Sequence, residues 1–144
     1  MTPKVRTVTG EISPGQLGTT LMHEHFLFGY PGYAGDVTLG PFQHEEAMQA
    51  CLAVAERLKS HGVKTVVDAT TNEAGRNPEF LKELSERSGL QIICSTGYYY
   101  EGEGAPAYFK FRQAFCDVQQ EVYEMMMTEI TEGIAGTGIK AGGI

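Results

Sequence analysis

The 144-residue chain has no apolar run near the roughly 18 residues that a membrane-spanning helix requires, and Met1 to Thr9 has no apolar core of the kind a secretory signal needs. These absences lead to the expectation of a soluble, cytoplasmic protein that does not engage a membrane. Basic charge is scarce and dispersed. Eleven Lys and Arg stand against eighteen Asp and Glu, a net charge of −7, so the chain lacks the basic stripe of a nucleic-acid-binding surface. Cysteine is equally sparse: Cys51, Cys94 and Cys116 lie far apart in apolar settings, odd in number and without a C-x-x-C spacing, and read as core thiols rather than ligands or nucleophiles. Low-complexity tracts and internal repeats are absent as well. What is present, 42% hydrophobic and 20% charged residues, is the composition of a globular domain able to bury a core.

Along the chain, Val5 to Gly18 predicts a small hairpin that turns at Ser13-Pro14-Gly15. Thr19 to His25 predicts a buried strand, followed by a Gly- and Pro-rich loop over 29–41, long enough to be functional. Gln43 to His61 has helical periodicity, with Ala47, Cys51, Val54, Ala55 and Leu58 on one face. Val63 to Ala69 predicts a β-branched strand, Pro78 to Ser88 a helix begun by Pro and stopped by Gly89, and Leu90 to Ser95 a third strand. Tyr108 to Glu132 predicts mostly helix, and Gly138 to Ile144 at most a short fourth strand. Strands alternating with helices, without hairpins between them, imply an α/β fold with a parallel sheet. Two architectures accommodate that order: a doubly wound open sheet, or the N-terminal half of a (β/α)8 barrel, whose whole takes about 250 residues.

His23 and His25 are separated by one residue near the end of a predicted strand. Side chains on a strand have period two, so both imidazoles project to one face while Glu24 projects to the other. Two neutral imidazoles so placed can share a metal ion, and the long loop after them puts them at the strand's C-terminal end, where parallel α/β folds place their sites. Two polar residues making hydrogen bonds at a strand end would have the same spacing. Asp68 and Arg76 read as structural charges at a strand end and a helix start, and His44 and His61 as solvent-facing or capping residues of the first helix.

The segments GTTLMHEHFLF at Gly18 to Phe28, GRNP at Gly75 to Pro78 after VDATT, STGYYY at Ser95 to Tyr100, and EITEGIAGTGIKAGGI at Glu129 to Ile144 together resemble the phosphotriesterase family of the amidohydrolase superfamily, and its lactonase-like members in particular. The similarity runs in register along nearly the whole chain. It implies a (β/α)8 TIM barrel with a binuclear centre, usually Zn2+, that hydrolyses organophosphate triesters, lactones or other small-molecule esters by a metal-activated hydroxide. In that register His23 and His25 match the first-strand ligands of the more buried metal. Tyr99 matches a substrate-binding aromatic position, tyrosine in the lactonase-like members; Tyr98 and Tyr100 have only a packing role to expect. Lys140 matches a basic residue that precedes the family's bridging, carboxylated lysine. That lysine would follow directly after Ile144, and the family's remaining ligands, two histidines and an aspartate, belong to later strands.

The resemblance therefore implies residues 1–144 as a single partial domain, a truncated hydrolase with little activity alone. Two imidazoles cannot fill the four-coordinate shell that Zn2+ prefers. The rival expectation is a non-catalytic half-barrel module for binding or assembly. In either case a half barrel exposes unpaired edges and an uncovered interior layer, and self-association is expected.

Overall fold

The computed structural model describes residues 3–38, 40–99, 102 and 106–144. The chain opens with a hairpin in which β1 (Val5–Thr7) pairs antiparallel with β2 (Gly10–Ile12), so the hairpin turns at Val8–Thr9 and not at Ser13–Gly15. The Thr7 hydroxyl closes that turn by donating to the Gly10 carbonyl at 2.8 Å. Val8, at its tip, is drawn into the core and donates its N–H to Ile92 O at 2.9 Å. Alternation over Val5 to Thr9 therefore spans a strand plus its turn. Ser13–Gly15 instead opens a short 3-10 turn, Pro14–Gln16.

Strand β3 (Thr19–Glu24), helix α1 (His44–Ser60), strand β4 (Val63–Asp68), helix α2 (Pro78–Ser88) and strand β5 (Gln91–Cys94) follow in the expected order. The three strands form one parallel sheet, β3-β4-β5. Gly142 N donates to Cys94 O and Thr96 N to Gly143 O, each at 2.9 Å, and Ser95 and Gly143 make a parallel bridge, so the chain's end adds the first contact of a fourth strand. This is the α/β order expected of the N-terminal half of a barrel.

Helix α1 begins with Glu45 and Glu46 and ends with Arg57 and Lys59, both arrangements favourable to its dipole. Its buried face is Met48, Cys51 and Ala55; Val54, placed on that face by periodicity, is 47% exposed, and Met48 takes its place in the core. Helix α2 has Asn77 as N-cap, with its side chain accepting from Phe80 N at 3.0 Å, Pro78 in the first turn, and Gly89 in left-handed backbone at φ 78° as its stop. Phe80, Leu81 and Leu84 pack from α2 against Val66 and Ile92 of the sheet. The expected helix over 108–132 is two helices, α3 (Pro106–Arg112) and α4 (Val118–Thr131). Asp117 caps α4 through Gln120 N, and Arg112 reaches Glu121 across the break. No described helix is long and apolar enough to cross a membrane.

Cys51 and Cys94 are buried and free, and burial raises both thiols, Cys94 to about 11. An unfolded chain releases the Cys94 proton near 9.0, while the folded chain holds it to about 11. Between those values the unfolded state binds fewer protons, so stability falls as pH rises. Urea midpoints taken at about pH 8 and about pH 10.5 are expected to show that fall, and a Cys94→Ala variant to show less of it. An equal fall in the variant would remove Cys94 as the cause.

Candidate functional site

The C-terminal end of β3 is fastened to the end of β4 by a buried carboxylate. Asp68, 1% exposed, accepts from Phe26 N at 2.9 Å with one oxygen and from Thr70 N at 3.1 Å with the other. The Ala69 N–H donates to Glu24 O at 3.0 Å, beside the last β3–β4 pair, Glu24↔Asp68. The pairing register slips between Leu21 and Glu24, an irregularity of the kind that re-aims side chains near sites.

His23 and His25 sit on this fastened end. Their rings meet edge to face with centroids 5.2 Å apart, and both residues are exposed. His25 Nδ1 lies 2.9 Å from the hydroxyl of Thr70, a residue that is 1% exposed. Nε2 is therefore the His25 nitrogen that remains for a further ligand. Two adjacent imidazoles, one already held through its far nitrogen, fit part of a zinc shell. Among the described residues no group of three or more His, Cys, Asp or Glu is arranged to hold a metal ion.

The loop after β3 builds the wall beside this pair. The Phe28 ring lies 5.4 Å from that of His25 and also lines an apolar cleft of about 390 Å³ with Leu27, Tyr33, Val37 and Phe42. Tyr33 holds the loop down: a Cβ at Gly29 would come within 2.6 Å of its ring, and one at Gly75 within 3.0 Å of its hydroxyl. Gly75 is also in left-handed backbone, at φ 90°. The GRNP segment is thus structural at every position. Gly75 receives Tyr33, Asn77 and Pro78 start α2, and Arg76 enters a buried ion pair with Glu129.

Tyr99 is 43% exposed on the loop after β5, and its N–H donates to Glu73 Oε1, which links the loops after β4 and β5. The Tyr98 ring packs edge to face on Phe109 at 4.9 Å. Tyr100 lies outside the described residues. His44 is 2.9 Å from Glu83 and joins α1 to α2, His61 is the C-cap of α1, and Lys140 is exposed.

Residues 3–144 match the model of the phosphotriesterase family. The chain belongs to that family. It is 62% identical to an organophosphorus hydrolase from Deinococcus radiodurans, with a TM-score of 0.93 over 96% of this chain and 42% of that one. A variant of a PTE-like lactonase from the same organism is also 62% identical, with a TM-score of 0.92, and 96% of this chain covers 43% of it. An N-acetyltaurine hydrolase of Rattus norvegicus is 30% identical over 96% of this chain and 46% of its own length. The phosphotriesterase-family chain thus spans less than half the length of these relatives.

Nothing in the sequence singles out Thr70 or Glu73, although VDATT marks the segment that carries the first. Their roles depend on which side chains the β4–α2 loop brings against His25 and Tyr99.

Proposed function

We propose that residues 1–144 form a partial domain of a zinc-dependent hydrolase acting on esters, lactones or carboxylic esters ahead of organophosphate triesters. The observation that carries this reading is the His23–His25 pair, with His25 held from behind by Thr70, flanked by an apolar cleft. When bound, zinc would polarise the ester oxygen and acidify a water. His23 and His25 would supply two of its ligands. The cleft beside Phe28 suits the alkyl part of an ester, and the Tyr99 phenol would donate a hydrogen bond to an ester oxygen. The two relatives from Deinococcus radiodurans, named for organophosphorus and lactone hydrolysis, support the substrate class.

The test compares an aliphatic lactone with paraoxon on the zinc-loaded whole protein. Lactone turnover should exceed paraoxon turnover, and Tyr99→Phe should lower kcat/KM for the lactone by about tenfold, the worth of one hydrogen bond. Faster paraoxon hydrolysis refutes the preference. The 144-residue chain alone should retain little zinc after dialysis and show negligible turnover.

The same reading leaves β3 with β4 as its one described neighbour in the sheet and Met22 70% exposed. We propose that further strands of the protein, or a second copy, cover this side. Light scattering of the isolated chain should report a mass above 15.7 kDa, and a cooperatively unfolding monomer would argue against it.

A further inference from the structure

We propose that Thr70 is a positioning residue for His25, and that its hydroxyl selects the tautomer protonated at Nδ1 and so leaves Nε2 bare for a metal. The argument is a count of protons. A threonine hydroxyl has one proton to give and lone pairs to accept with. Thr70 Oγ1 lies 3.2 Å from the Leu27 carbonyl, which can only accept, and 2.9 Å from His25 Nδ1. Both bonds exist together in one way: the hydroxyl proton goes to Leu27 O, and Nδ1–H donates to Oγ1. In the opposite tautomer Nδ1 would have to take the hydroxyl proton, and Leu27 O would lose its donor.

The hydroxyl cannot readily turn elsewhere. Thr70 is 1% exposed, its backbone N–H is held by Asp68 Oδ1 at 3.1 Å, and a β-branched side chain has few rotamers. Neutral imidazole carries one N–H, so a proton on Nδ1 leaves the Nε2 lone pair free. Because Leu27 and Phe28 continue directly into the cleft wall, the contact also ties the ligand's orientation to the placement of that wall. Only the destination of Nε2 rests on the proposed metal function; the tautomer is a property of the metal-free protein.

Long-range 15N–1H spectra of the metal-free, 15N-labelled protein at mildly alkaline pH read this directly. His25 should show a protonated Nδ1 and a bare Nε2. Thr70→Val should lose that preference and weaken zinc binding by the whole protein by about 10- to 100-fold, and Thr70→Ser, which keeps the hydroxyl, should restore both. A wild-type His25 protonated at Nε2 overturns the inference, as does a Thr70→Val protein whose tautomer and zinc affinity are unchanged. If Thr70→Val does not fold, the wild-type and Thr70→Ser spectra still decide. The expected tautomer in a whole protein that binds no zinc would refute the metal reading and uphold the tautomer assignment.

Discussion

Glu129→Ala is expected to lower the unfolding free energy by about 3–5 kcal/mol, the cost of leaving one half of a buried ion pair unmatched. Arg76 and Glu129 have side chains only 4% and 8% exposed. The guanidinium gives Nη2 to Glu129 Oε1 at 2.5 Å and Nη1 to Oε2 at 2.7 Å, and Nη1 also donates to Ser95 O at 2.9 Å. The Thr96 hydroxyl donates to the same carboxylate at 2.6 Å. With Glu129 gone, a buried cation keeps one carbonyl, and Thr96 loses its carboxylate acceptor and keeps only the Met125 sulfur at 3.9 Å. Urea unfolding followed by circular dichroism measures the loss. The paired replacement Arg76→Met/Glu129→Leu, which removes both charges and keeps volume, should recover most of it. A single variant within about 0.5 kcal/mol of wild type would show that the pair does not hold α4 to the β4 and β5 loops.

His25→Ala and His23→Ala are each expected to strip zinc from the proposed centre of the whole protein. Ester hydrolysis should fall by at least about a thousandfold, since metal polarisation is worth several kcal/mol of barrier. Zinc content after dialysis, measured beside the rate, separates a lost ligand from a damaged fold. His44→Ala serves as the contrast. His44 is paired with Glu83 at a site where both side chains are well exposed, so its removal should leave zinc and rate unchanged. Equal zinc in the His25→Ala and wild-type proteins would place the metal elsewhere.

The elements legible in the sequence are those decided locally. Pro78 and Gly89 bound α2 because each restricts or permits particular backbone angles without help from the rest of the chain. The β-branched run of β4 suits a strand with neighbours on both sides. His23 and His25 were legible as a pair because one intervening residue and the strand period bring them to one side, even across the register slip. The hairpin turns at Val8–Thr9 and not at Ser13–Gly15, because the Thr7 hydroxyl closes a turn onto Gly10 whose two central residues are neither Gly nor Pro, while Ser13-Pro14-Gly15 gives the stronger local signal.

The sequence by itself determined the order of elements, the parallel direction implied by that order, the family and the histidine pair. Each follows from short-range periodicity, end signals or motifs in register. Only the tertiary structure decided that Arg76 pairs with Glu129, 53 residues away, and that Thr70, 45 residues from His25, lies against its Nδ1. It also decided that Met48 and not Val54 fills the core beneath α1. The physical reason is common to all three. A hydrogen bond or a core contact between distant residues depends on the position and angle at which two elements pack, and neither is encoded in the spacing within one of them.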